Sequence, residues 1–254
     1  MSDKKSSNEA LRTIFVALSL CLVCSIAVSV TVVNLKPRQD RNKDLDLKKN
    51  ILSAAGLHTT YEEIESNFSK IKIAVVDLER GQIDESIDPD TYNENKAKTD
   101  PDAQIVIPAD IDVGGLVKRL KKVKVYLVQE SGTLKQVILP IVSKGLWSTM
   151  YGFISLSDDL NTVKGFAYYS QGETPGLGGE VDNPAWKEQW IGKKIFSGAD
   201  KIAFKVAKGA GKGVHQVDGL SGATITANGV TNSIRYWMSD HGFGKFLNNL
   251  KGVN

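Results

Sequence analysis

Cysteine is almost missing from this 254-residue chain: it has two, Cys21 and Cys24, both inside one apolar run. Beyond that run no disulfide and no thiolate chemistry is available, which is compatible with an oxidising compartment. The C-x-x-C spacing carries no redox or zinc reading, because thiols within an apolar span behave as small hydrophobes and the chain offers them no partners. Histidine is scarce too. His58, His215 and His241 are scattered and form no evident acid–base dyad. The net charge of +3 is small and its basic residues are spread along the chain, so a nucleic-acid-binding class is excluded. Neither a Walker glycine loop nor a Gly-x-Gly-x-x-Gly fingerprint is present, and there is no internal repeat.

One long hydrophobic run is present. Thr13 to Val33 holds 21 uncharged residues. As a helix it would extend about 31 Å, enough to cross a bilayer core. A cleaved signal peptide is the alternative, but the run is long for one and no small-x-small site precedes Lys36. The residues before the two cysteines, Leu20 and Val23, are too bulky for lipoprotein cleavage. Lys4, Lys5 and Arg12 precede the run, whereas Lys36, Arg38, Arg41 and Lys43 follow it. That count slightly favours a cytoplasmic C-terminal side, although long domains translocate largely regardless of it. The chain therefore divides into residues 1–12, a membrane span at 13–33, an α+β part at 34–140 and a ligand-binding part at 141–254.

After Pro37, residues 36–43 read as a polar linker. Leu45 to Ala55 reads as a short helix stopped by Gly56. Thr60 and Glu63 form a capping box for a second helix carrying Tyr61, Ile64 and Phe68. Ile71 to Leu78 is a β-branched strand ending near Gly81, and residues 84–102 are mostly loop. Val123 to Val128 and Val137 to Val142 flank Ser131-Gly132 as a hairpin. Gly152 to Leu156 and Thr162 to Ser170 form another around Asp158. Clustered strands without βαβ alternation predict an α+β fold with a largely antiparallel sheet packed with helices.

Three strings carry the chemistry. Residues 218–226 read D-G-L-S-G-A-T-I-T, followed by apolar residues at Val230, Ile234, Trp237, Met238 and Phe243 with helical spacing. Ser221 or Thr224 is the expected N-cap, with Gly219 and Gly222 shaping the turn. Such a start is either an ordinary capped helix or a phosphate site, because small residues admit close approach and free amides favour an anion. Residues 144–152 read K-G-L-W-S-T-M-Y-G. Trp147, Met150 and Tyr151 are either core anchors or, for Trp147, a platform for a flat ring. Residues 173–178 read E-T-P-G-L-G. Pro175 and Gly176 specify a type II turn, which is either structural or a loop that meets a ligand edge. Residues 209–213, with Lys208 and Lys212, read as a solvated glycine-rich turn or a source of positive charge for a phosphate.

The 218–226 string resembles the flavinylation motif D-G-x-[ST]-G-A-[ST]-x-T. Together with the other two strings and the anchor, it makes the chain similar to the NqrC family, the membrane-anchored flavin subunits of bacterial sodium-translocating NADH:quinone oxidoreductases. The two shorter motifs E-T-P-G-L-G and S-G-A-T-x-T are also those of the G subunit of the related Rnf complex, and an anchored periplasmic binding or assembly domain is the non-redox alternative. The resemblance implies a covalent FMN whose phosphate is esterified to Thr226. Ser221, Gly222, Ala223 and Thr224 would surround its phosphate and ribityl chain. Glu173, Thr174, Leu177 and Gly178 would meet the flavin, with Trp147 as a further ring contact and Asp218 aiding recognition by a transferase. It further implies an electron-carrier subunit of a multi-subunit inner-membrane enzyme that passes electrons from NADH toward ubiquinone and pumps sodium outward. The subunit would have no complete active site of its own and no metal. A periplasmic flavin transferase would attach the FMN, which places the C-terminal domain in the periplasm against the charge count.

Overall fold

The computed structural model describes residues 2–57, 59–198 and 201–253; His58 lies outside them. The chain forms two compact units, one up to Asp46 and one from Leu47 onward.

In the first unit every described residue belongs to a single helix, α1 (Ser2–Ala54). Among the described residues this is the one helix long and apolar enough to cross a membrane, and its most apolar window is wholly unburied. Three polar side chains in or beside the run bond to their own helix. Ser25 donates to the Cys21 carbonyl, Thr31 to that of Ala27 and Asn34 to that of Val30. Each thus bonds one turn back on its own helix, an arrangement compatible with an apolar surrounding. The linker expected at 36–43 is helical instead, with Pro37 inside α1. Proline removes one backbone bond there, but Arg38, Gln39, Arg41, Lys43 and Leu45 are good helix formers that carry the helix onward. The helix expected from Leu45 is accordingly the end of α1.

The second unit begins with the last turns of α1. Gly56, at φ 73°, ends the run. The capping box is present: the Thr60 N–H donates to Glu63 Oε2, opening a short 3-10 turn and α2 (Ile64–Phe68). There follow β1 (Ile71–Asp77), β2 (Gln82–Ile83), α3 (Glu94–Ala97), β3 (Gln104–Val106), β4 (Lys118–Leu120), β5 (Lys122–Glu130), β6 (Thr133–Lys144), β7 (Thr149–Ser157) and β8 (Val163–Ser170). Then come α4 (Pro184–Glu188), β9 (Phe196–Ser197), β10 (Lys201–Ile202), β11 (Lys205–Val206), β12 (Gln216–Val217), α5 (Thr224–Trp237) and α6 (Gly244–Val253). Six strands make one antiparallel sheet in the order β2-β1-β5-β6-β7-β8.

Both expected hairpins are present. Ser131 and Gly132 have φ 49° and 81° between β5 and β6, the paired positive φ that suits the twist of a two-residue turn. The β7–β8 turn is held by Asp159, whose carboxylate accepts from the Asn161 and Thr162 amides. Strand alternation gives the sheet two buried faces. Val125, Val137, Leu139 and Ile154 join Val230 and Ile234 of α5 in one core cluster. Tyr126, Ile138 and Phe153 are buried apart from it, with the Phe68 ring 6.1 Å from Tyr126.

α5 is docked on β6 by two side chains. Ser233 Oγ and Trp237 Nε1 both donate to the Val142 carbonyl, at 2.8 and 2.9 Å. The division drawn in the sequence between 140 and 141 falls inside β6, so the sheet runs across it. The position of the site follows from this docking: the first turn of α5 comes to lie beside the β6–β7 connection.

Candidate functional site

The three strings meet at one carboxylate. Glu173, just past β8, is buried with 6% of its surface exposed. Its Oε1 accepts from the amides of Trp147 and Ser148, both at 2.9 Å, and from Ser148 Oγ at 3.0 Å. Its Oε2 accepts from the Leu146 amide at 3.0 Å and from Thr226 Oγ1 at 2.7 Å. The K-G-L-W-S connection, the E-T-P-G-L-G turn and the first turn of α5 are thereby tied through one side chain.

Glycine permits this crowding. A Cβ at Gly145 would lie 2.5 Å from Glu173 Oε1. One at Gly178 would lie 2.8 Å from both Glu173 Oε2 and Thr226 Oγ1. The turn has Gly176 at φ 76° and a bond from the Leu177 amide to the Thr174 carbonyl, as a type II turn requires.

Burial raises the Glu173 pKa, but the bonds from Thr226, Trp147, Ser148 and Leu146 outweigh it and hold the carboxyl below the ordinary value of 4.5. A folded-state pKa below the unfolded one stabilises the fold above the unfolded value and loses that contribution as pH falls through the folded one. The melting-temperature gap between wild type and Glu173→Gln is therefore expected to be widest near neutral pH. It should shrink as pH falls below 4.5. A gap independent of pH in thermal melts would contradict this.

The helix start differs from the expected cap. The N-cap is Ala223, which offers no side-chain bond, and Thr224 is the first helical residue; neither Ser221 nor Thr224 caps. Gly222, at φ 69°, lets the chain turn into the helix, and a Cβ there would press on Leu177 Cδ2 at 2.7 Å. Nothing from the helix's own side chains satisfies its first-turn amides, and the partial positive charge of an N-terminus is available to an anion.

Thr226 lies in that first turn, 1% exposed, with Gly178 against its hydroxyl. Around it are apolar side chains that face solvent: Leu146 (51% exposed), Trp147 (72%), Leu177 (43%) and Ile225 (57%). Trp147 is thus no core anchor, because its backbone is spent on Glu173 while its ring projects outward. Met150 does belong to the core.

Asp218 has a local role. Its carboxylate accepts from the Gly211 amide at 2.6 Å and from Gln189 Nε2 at 3.0 Å, and its carbonyl accepts from Trp186 Nε1. This pins the strand leading into the motif. Lys208 and Lys212 are exposed. With Arg235 and Asn228 they line a cleft of about 630 Å³, of which Thr226 is not a lining residue.

A helix long and apolar enough to cross a membrane, an α+β domain with an antiparallel sheet, and an uncapped small-residue helix start ringed by exposed apolar side chains suit a ligand that joins an anionic group to a flat apolar one. Residues 145–239 match the FMN-binding domain family. Along its whole length the chain is similar to the C subunit of the Na(+)-translocating NADH-quinone reductase of Pseudomonas aeruginosa, at 45% identity over 99% of this chain and 98% of that one. The Yersinia pestis protein of the same name is 41% identical over 98% and 97%. The crystal structure of Shewanella oneidensis NqrC superposes with a TM-score of 0.75 at 33% identity, covering 81% of this chain and 96% of that one. The chain belongs to the NqrC family, the C subunits of Na(+)-translocating NADH-quinone reductases.

Two participants, Ser148 and Gly229, escaped sequence reasoning, and a third was read differently. Ser148 carries no role in the sequence reading, and Gly145, beside Trp147, reads there as clearance for a flat ligand rather than for Glu173. Gly229, on α5, faces the Lys144 backbone. A glycine three residues after the motif's last threonine was the available signal.

Proposed function

We propose that this chain is the subunit that carries one covalent FMN, esterified through its phosphate to Thr226, and relays electrons within the sodium-translocating NADH:ubiquinone oxidoreductase. The observation that carries the reading is the convergence of all three strings on Glu173 and Thr226, with 2.7 Å between Thr226 Oγ1 and Glu173 Oε2. When bound, FMN supplies electron transfer, and the protein fixes and tunes it.

Each residue has a task on this reading. The first-turn amides of α5 offset the phosphate charge. Gly222 and Ala223 give clearance for the phosphate and ribityl chain, with Ser221 and Thr224 as polar neighbours. Trp147, Leu146, Leu177 and Ile225 offer apolar surface to the isoalloxazine. Thr174 and Gly178 border it. Glu173 holds the 146–148 connection in place beneath it.

α1 serves as a single-pass anchor, with residues 13–33 in the inner membrane, residues 1–12 on the cytoplasmic side and the domain in the periplasm. The other subunits of the complex are its partners, and a separate flavin transferase attaches the FMN. The end-to-end match to NqrC relatives favours this over the Rnf-type alternative.

The chain coexpressed with the transferase is expected to be yellow and to keep its colour through acid precipitation. Its mass should rise by one FMN less one water. A colourless product would favour the non-redox binding domain.

A further inference from the structure

The hydroxyl of Thr226 already sits on a base. We propose that Glu173 accepts the Thr226 proton during flavin attachment, so that the acceptor protein brings its own general base to the reaction. The inference rests on the attachment reading above and adds a catalytic residue to it.

Geometry comes first. Thr226 Oγ1 donates to Glu173 Oε2 at 2.7 Å, inside the reach required of a general base. His215 is engaged elsewhere, with Nδ1 against the Lys194 carbonyl, and His241 is exposed on the loop after α5.

The carboxylate is fixed independently of the turn that covers the threonine. Four bonds from Leu146, Trp147 and Ser148 pin it to the short connection between β6 and β7, two interior strands of the sheet. Thr226 rides on α5, which is bonded to β6 at Val142. The 174–177 turn is exposed, and Gly178 at its end lies against both reacting groups. Lifting that turn uncovers Oγ1 and leaves the Glu173–Thr226 pair in place. The uncapped amides at the start of α5 then face the incoming phosphate.

The step balances with a flavin dinucleotide as donor. Thr226 Oγ forms the new bond to the flavin-side phosphorus. The pyrophosphate P–O bond breaks, and its electron pair leaves with adenosine monophosphate. The Thr226 proton passes to Glu173 Oε2 and from there to water. A carboxylate held below its ordinary pKa is adequate, because phosphoryl transfer through a loose transition state asks little of the base until the bond is nearly made.

The test uses the full-length unmodified chain in detergent with transferase, FAD and magnesium, and reads covalent flavin by mass against time. Glu173→Gln is expected to lower kcat for the acceptor protein by about 100-fold or more while its KM stays within about threefold. Ser148→Ala, which trims the carboxylate's support but keeps the base, should remain within about tenfold of wild type. Wild-type kcat in Glu173→Gln, or a raised KM at unchanged kcat, would overturn the proposal and leave Glu173 a docking element. If Glu173→Gln fails to fold, Glu173→Asp substitutes: it keeps the charge but withdraws the oxygen from Thr226, and it should show the same kcat loss, while wild-type kcat again overturns the proposal. Thr226→Ala separates the two ideas. If that variant still gains flavin, the attachment reading fails; if it gains none while Glu173→Gln reacts normally, only the base assignment fails.

Discussion

Thr226→Ala and Thr226→Val are each expected to abolish covalent flavin completely, leaving a folded chain whose mass matches its sequence. Thr226→Ser should retain attachment at a reduced rate. The all-or-none outcome follows from chemistry: a phosphoester needs an oxygen nucleophile, and neither alanine nor valine has one. Neighbouring hydroxyls are poor substitutes. Ser221, before α5, and Thr224, its first residue, are exposed, whereas the Thr226 hydroxyl meets the fixed carboxylate of Glu173. The stability change should be modest but measurable. Valine matches threonine in shape but leaves Glu173 Oε2 without one donor. Losing a hydrogen bond to a charged group costs about 1.5–3 kcal/mol. For a domain of this size each kcal/mol lowers Tm by about 2–4 °C. Denatured-gel fluorescence and intact mass distinguish the outcomes; flavin covalently retained in either Thr226→Ala or Thr226→Val would rule out this threonine as the acceptor.

Much of the fold was legible because its local signals agree with its tertiary structure. The β-branched strands, the Ser131-Gly132 turn and the helical spacing after Thr226 each appear where the sequence places them. The linker at 36–43 was misread because proline and charge usually mark a break, yet one proline within good helix formers left α1 intact. The N-cap was misassigned because hydroxyls outrank alanine in propensity. The chain instead leaves that helix start without a side-chain cap.

The role of Glu173 was the least legible. Sequence placed it in a turn and made it a ligand contact. Its four bonds to residues 146–148 come from a segment 25 to 27 positions away, and such long-range pairing leaves no local pattern. Trp147 failed as a core anchor for the same reason, since the carboxylate claims its backbone and turns its ring outward.

Gly229→Ala is expected to destabilise the domain by about 2–3 kcal/mol, lower Tm by about 5–10 °C and slow flavin attachment. Propensity argues the other way, because alanine in a helix interior is favoured over glycine by about 1 kcal/mol. Packing decides. A Cβ at Gly229 would overlap the Lys144 carbonyl oxygen and come within 3.0 Å of its carbon. Those are backbone atoms at the end of β6, not the movable tip of a side chain. Relief requires α5 to retreat by roughly 1–1.5 Å, which strains the bonds from Ser233 and Trp237 to Val142, each worth about 1 kcal/mol. Thr226 stands one turn before Gly229 on the same helix, so the retreat also draws its hydroxyl away from Glu173. Asn228→Ala is the matched control, because that residue is exposed on α5 and should leave melting and attachment rate unchanged. Wild-type melting in Gly229→Ala would mean that the close docking of α5 on β6 does not set the site. A lowered melting temperature with an unchanged attachment rate would separate helix docking from the Thr226–Glu173 geometry.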